Sequence, residues 1–292
     1  MTLASLEDHT PPRTVWRLPI RDTWPVRIAL LIVVVLAIAA IAAPLIAPFD
    51  PNAVDLARRL QGPSLTHWLG TDHLGRDELS RLIYGTRVSL GSVALCIVLI
   101  LALAIGVGGV SGYMGGRIDQ AIMRFCDVFL AFPTIVLALF LIGILGTGMV
   151  NVIIAIALSH FAWYARMVRG LVLSFRQRDF VLASRAAGAS RVRVFFEHLF
   201  PAIMAQMIVL ATLDIGHMML HVAGLSFLGL GVQTPTAEWG VMINDARQFV
   251  WSMPMLIVWP GLALLLSVMA FNILGDAVRD RLDPSLHGDH QH

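Results

Sequence analysis

Three ionisable side chains interrupt one apolar stretch of this chain: Asp214, His217 and His221. Their i, i+3, i+7 spacing puts them within an arc of about 60° on a helix of 3.6 residues per turn, stacked along one face. Imidazole nitrogens and carboxylate oxygens are ligands for borderline divalent transition metals, and two histidines four residues apart can share one ion. The set is incomplete for permanent binding, which suits a conduit that must also release its ion. The same groups serve equally well as hydrogen-bonding ties between neighbouring helices. Spacing leaves both readings open. A third reading, an intramembrane metalloenzyme using these residues, lacks the His-Glu-x-x-His signature of zinc hydrolases.

The elements that would position them belong to a membrane. Of the 292 residues, 57% are hydrophobic and only 14% charged. That is too apolar for a wetted surface. About 20 apolar residues cross a bilayer core, and six stretches qualify, near 28–47, 88–110, 128–145, 150–168, 203–222 and 256–274. The sequence predicts an all-α polytopic protein with about six transmembrane helices. Residues 1–26 read as a cytoplasmic segment, 27–284 as the transmembrane domain and 285–292 as a His-containing tail. The polar, Pro-rich first 26 residues and the long apolar run behind them predict a retained anchor rather than a cleavable signal peptide.

All 21 basic residues are Arg. With the N-terminus inside, fifteen of them fall on inside segments (Arg13, Arg17, Arg21, Arg27, Arg117, Arg124, Arg166, Arg169, Arg176, Arg178, Arg185, Arg191, Arg193, Arg279 and Arg281) and six outside (Arg58, Arg59, Arg76, Arg81, Arg87 and Arg247). The positive-inside rule then predicts both termini in the cytoplasm. The absence of Lys excludes a P-loop, whose Lys reaches the β- and γ-phosphates. Any ATP that drives this protein is used by another polypeptide. Cys96 and Cys126 lack disulfide or zinc spacing and read as small buried hydrophobes. His287, His290 and His292 read as a solvated end. Gly70–Arg87, with charges scattered among Leu79, Leu82 and Ile83, reads as an amphipathic helix at the outer interface. Glu238 and Trp239 either touch an external partner or shape their loop. His160, beside Trp163 and Tyr164, reads as a packing or interface residue.

Between the fourth and fifth stretches lies an ordered, Arg-rich cassette. Asp179 is a candidate N-cap for a helix over 180–187, Gly188 fits a left-handed break, and Ser190 can cap a second helix toward His198, with Pro201 stopping it or opening the next span. Ala183, Ala186 and Ala187 make the first helix slim enough to enter a groove. An interfacial helix on anionic lipid is the alternative. Docking of a soluble partner is the expectation.

Phe180, Val181, Leu182, Ala183, Ser184, Arg185, Ala186, Ala187, Gly188, Ala189 and Ser190, with His198-Leu199-Phe200-Pro201, resemble the coupling loop of ABC importer permeases. In that family the loop fits a cleft on the ATPase subunit. Leu182 stands where the family motif has Glu, and Ser184 where it has Ala. The stretches 67–77, 225–232 and 272–284 resemble the dipeptide/oligopeptide/nickel branch, and 151–169 with 210–247 look most like its nickel permease subunits. The resemblance implies a bacterial inner-membrane importer subunit with no cofactor of its own. ATP would be used by two ATPase subunits, a second homologous permease would sit beside this one in the lipid, and a periplasmic binding protein would deliver the cargo. No nucleic acid is implied. The implied cargo is nickel(II) or its chelate, with a dipeptide or oligopeptide as the alternative.

Overall fold

A computed structural model describes residues 23–282. Most of the predicted N-terminal segment and the predicted tail, with its three histidines, lie outside the described residues.

Among the described residues the secondary structure is helical, apart from an isolated bridge between Thr71 and Asp77. The helices are α1 (Trp24–Ile46), α2 (Glu78–Met114), α3 (Gly116–Leu130), α4 (Thr134–Leu145), α5 (Met149–Phe175), α6 (Asp179–Ala186), α7 (Arg191–Val194), α8 (Phe200–Phe227), α9 (Trp239–Ala246) and α10 (Met255–Leu282). A π-turn, Phe195–Leu199, joins α7 to α8, so that Arg191–Phe227 is one rod of 37 residues. α1, α2, α5, this rod and α10 are long and apolar enough to cross a membrane.

The third predicted crossing differs from its expectation. Instead of one span over 128–145, α3 and α4 meet at a bend of 92°. Pro133 is the cause: its extended ψ of 131° and missing N–H prevent the α3 ladder from running on into α4. α4 has 12 residues, about 18 Å, which falls short of a hydrocarbon core of about 30 Å. α3 carries Arg117, Asp119, Arg124 and Asp127 on one side and Ile118, Ile122 and Phe125 on the other, a pattern for lying along an interface.

α2 packs along α5 through the middle of the bundle. α8 packs on α10 and α2, α1 on α10 and α2, and α4 on α5. The α2–α5 seam depends on two small positions one turn apart. A Cβ at Gly108 would lie 2.2 Å from the Ala165 carbonyl oxygen, and one at Gly112 would lie 2.8 Å from Val172 Cβ. Small residues at i and i+4 let the two backbones meet, as they must where lipid supplies no hydrophobic drive between helices. Cys96 and Cys126 are buried and unpaired, as expected of small hydrophobes. Met218 and Met219 are buried packing residues. Leu31, Val35, Ile38, Ile41 and Leu45 of α1 face outward, as a lipid-facing helix requires.

One end of the bundle is capped by residues 48–77 and α9. Here the expected interfacial helix over 70–87 is corrected. Residues 70–77 form a turn, and Glu78–Arg87 are the opening turns of α2. Arg87 stays exposed, whereas Asp72, Arg76 and Arg81 face inward and pair with each other. Arg76 Nε meets Asp72 Oδ2 at 2.6 Å, the Arg81 guanidinium reaches Asp72 at 3.5 Å, and both arginines approach Asp245 of α9. His67 Nδ1 lies 2.8 Å from Asp77 Oδ1. Mixed acids and bases read as amphipathic in one dimension; in three they neutralise one another, so that burial is tolerated. Glu238 and Trp239 shape the loop. Both are fully buried; Glu238 accepts from Val241 N and Ser89 Oγ, and Trp239 Nε1 donates to the Leu82 carbonyl. Burial raises the Glu238 carboxyl above its ordinary value, against the lowering effect of those bonds.

Candidate functional site

Two features can do work: the cassette α6–α7 at the end opposite the cap, and a polar ladder where α5 faces α8.

The cassette turns on Gly188. α6 starts at Asp179, one residue earlier than the sequence suggests. Arg178 occupies the N-cap position, its carbonyl accepting from Val181 N and Leu182 N, and Asp179 is the first helical residue. As such its carboxylate still favours the positive helix end. At the far end Gly188 adopts φ +87°, with Gly188 N donating to Arg185 O and Ala189 N to Ser184 O. Only a residue without a Cβ takes this conformation freely. Ser190 Oγ then accepts from Arg193 N and opens α7, as the spacing predicts. Pro201 sits near the start of α8 without ending the rod. The π-turn ahead of it, closed by Phe200 N to Phe195 O, absorbs the amide that proline lacks.

Three buried side chains, Val181, Val194 and Leu199, root the cassette in the bundle. Ser184 Oγ lies 3.1 Å from His198 Nε2, so the departure from the family's Ala supplies a tie between the two arms. Phe180 stacks edge-on against the same His198, and the Arg185 guanidinium lies over the Tyr113 ring at 5.4 Å. The rest is presented outward: Leu182, Ala183, Arg185, Ala186, Ala187, Gly188 and Ser190 are exposed. Beside them a cleft of about 590 Å³ is lined by Arg176, Gln177, Leu182, Arg185 and Arg191. Leu182 gives this cleft an apolar edge where the family's Glu would give a charged one.

The ladder runs across two antiparallel helices. Tyr164 of α5 donates its hydroxyl to Asp214 Oδ2 of α8 at 2.8 Å. Asp214 Oδ1 lies 3.4 Å from His217 Nδ1. One turn further toward the cap, the rings of His221 and His160 meet edge to face, with centroids 5.0 Å apart. His221 Nδ1 bonds the His217 carbonyl, and its ring meets His160 of α5. His217 is the most open of the set, its side chain 70% exposed in the isolated chain. Among the described residues no three His, Cys, Asp or Glu side chains are gathered closely enough to hold an ion by themselves. His160, read from the sequence as a packing or interface residue, packs its ring on that of His221. Its i, i+4 relation to Tyr164 was visible, but that this face meets Asp214 and His221 follows only from the antiparallel packing of α5 on α8.

A sequence profile described as the binding-protein-dependent transport system inner membrane component matches residues 104–288, and one for the N-terminal transmembrane domain of oligopeptide transport permease C matches 22–63. The chain is 62% identical to the nickel transport system permease protein NikC of Escherichia coli K12 over 269 residues, covering 92% of this chain and 97% of the relative. It is 42% identical to the dipeptide transport system permease protein DppC of Alkalihalophilus pseudofirmus, covering 89% and 85% of the two chains. It is 41% identical to the glutathione transport system permease protein GsiD of Pectobacterium atrosepticum, covering 95% and 92%. Among solved structures, an amino acid ABC transporter with histidines shares the fold, with a TM-score of 0.52 at 14% identity over 69% of this chain and 94% of that one.

Proposed function

Because this chain belongs to the family of binding-protein-dependent transport system inner membrane components, it is a multi-pass inner-membrane permease subunit of an ATP-driven importer, and we propose that it carries nickel(II) or a nickel chelate. The observation behind the cargo is the identity of 62% to a nickel permease, against 42% and 41% to dipeptide and glutathione permeases of similar coverage. The family works with ATPase and substrate-binding partners in general. The finer assembly is part of the proposal: one homologous permease beside this chain, two ATPase subunits below it, a periplasmic binding protein above it, both termini cytoplasmic and no cofactor held by this chain. Membership in a transport family sets the intramembrane metalloenzyme aside.

In this reading the residues 180–190 dock in the ATPase, which Val181 and the Ser184–His198 bond support by holding the small-residue face rigid and outward. ATP-driven closure of the motor moves the cassette, the rod Arg191–Phe227 tilts, and access alternates by rigid-body motion. Asp214, His217 and His221 lie along the cargo path and hand the cation on by transient ligation. Weak, partial ligation matches the need to let go.

The test is uptake of radioactive nickel by the assembled transporter with its binding protein, in competition with unlabelled dipeptide. Uptake that requires an active ATPase and resists excess dipeptide is expected. Uptake of labelled dipeptide in place of nickel would overturn the cargo assignment and leave the family intact.

A further inference from the structure

We infer that His160 and His221 together form a two-imidazole station for the metal in transit, a site resting on the proposed nickel cargo and drawn from α5 as well as α8.

The first support is the tautomer. His160 Nδ1 lies 3.0 Å from the Ile156 carbonyl oxygen, and His221 Nδ1 lies 2.8 Å from the His217 carbonyl oxygen. A carbonyl only accepts, so each Nδ1 must carry the proton and donate it. In a neutral ring the lone pair then belongs to Nε2. Neither Nε2 has a hydrogen-bond partner among the described residues. A ring held by Nδ1–H to a backbone carbonyl, with Nε2 free, is how metal-binding histidines are oriented and made basic.

The second support is the separation. Two imidazoles bound side by side to one ion, with metal–nitrogen bonds of about 2.1 Å, hold their centroids roughly 4.5–5.2 Å apart. The observed separation is 5.0 Å with ring planes at 88°. The two ring centres are therefore already at the spacing of a shared ion. Neighbouring groups suit a cation: Asp214 and His217 lie within two turns on α8, and no arginine interrupts the ladder between Asp214 and His221.

The third support is depth. An ionisable side chain within a span is costly unless it faces partners or a path. Simple ties between helices would leave the two rings bonded to each other through nitrogen. Here both Nδ1 protons go to their own helices, which leaves neither ring a nitrogen proton to donate to the other. A cation is one partner that two such free lone pairs can share. Two ligands alone hold it weakly, with water or chelate atoms completing the sphere, as passage requires.

The experiment separates ligand from packing. His160→Phe and His221→Phe keep an edge-to-face aromatic pair but have no lone pair, and His160→Gln retains a polar side chain of intermediate size. Each is made in the full transporter, and nickel uptake is measured beside ATP hydrolysis stimulated by the binding protein. We expect uptake to fall at least about tenfold in each variant with hydrolysis retained, and the double Phe variant to be no worse than either single, as for two members of one site. Uptake within twofold of the unsubstituted transporter in an assembled His160→Phe or His160→Gln variant would overturn the station. If the unsubstituted transporter carries dipeptide and no nickel, the cargo assignment fails instead, so the two failures are distinct.

Discussion

Gly188 offers a perturbation whose size follows from one angle. Its φ is +87°, and a Cβ placed there would meet nothing within 4 Å. A substitution therefore adds backbone strain without a clash. An ordinary L-residue in the left-handed region costs about 1–2 kcal/mol, the lower end for Ala and the upper end or beyond for β-branched Val. That is a factor of about 5–30 in the population of the bent cassette against a straightened one. Asn, which tolerates this region, should cost least. Ala187 and Leu182 keep their exposed positions throughout, so a change in the surface itself is not the variable. The assay is the ratio of nickel transported to ATP hydrolysed by the reconstituted complex, followed with rising temperature. The expected order is Gly, Asn, Ala, Val, with Val uncoupling at the lowest temperature. A Val variant with the unsubstituted ratio, or an Asn variant as damaged as Val, would refute the idea that the bend at Gly188 is the mechanical element.

Other positions test the frame around it. Gly108→Ala puts a methyl 2.2 Å from the Ala165 carbonyl oxygen and should cost about 1–3 kcal/mol, seen as earlier thermal unfolding, whereas Gly106→Ala, with open space around its Cβ, should be neutral. Arg169 grips Asp119 through Nε at 2.5 Å and NH2 at 2.6 Å. Arg169→Lys keeps the charge but loses the fork, and because the arginine is about one-third exposed the loss should be near 1 kcal/mol, measured as coupling in a cycle with Asp119→Asn. Burial raises the Glu238 carboxyl, so the folded cap binds that proton more tightly than the unfolded chain does. Its contribution is fully present below the unfolded value of about 4.3 and is lost as pH rises through the raised one. Protection of α9 amides, taken relative to their intrinsic exchange rate at each pH, should fall over that window, and Glu238→Gln should flatten the trend.

The local grammar of this chain is legible. Apolar runs give the crossings, Gly188 and Ser190 give the bend and its cap, and the missing Lys places the motor elsewhere. What eludes a linear reading is whatever depends on a neighbour from another segment. Arg76 and Arg81 read as surface charges because Asp245, which helps neutralise them, lies more than 160 residues away in sequence. His160 reads as packing, and only the antiparallel lie of α5 on α8 names His221 as the ring it packs on. The span near 128–145 reads as straight because hydropathy sums over Pro133, while the backbone stops there. Ser184 reads as a departure from a pattern, and only the fold supplies the His198 that gives it a partner.

The two features share one body. The rod Arg191–Phe227 carries the second arm of the cassette at one end and Asp214, His217 and His221 near the other. Its weakest point, the π-turn, is wedged against α2, where Phe195 lies edge-on to Tyr113 at 6.0 Å and close against Gly109. α8 lies close on α10 at the height of the ladder: a Cβ on Gly216 would sit 2.6 Å from Asn272 Oδ1, and one on Gly275 would sit 3.0 Å from Leu213 Cα. A fulcrum at that height stands about 35–40 Å from Arg191. On the proposed mechanism, a displacement of about 5 Å at the cassette tilts the rod by about 8° over that length. Rings about 10 Å from the pivot then shift by about 1.4 Å, two-thirds of a metal–nitrogen bond. His221 rides on the moving rod and His160 on α5. A station shared between them is therefore one that the stroke itself would open, so that release of the cation is driven by the same motion that turns the path.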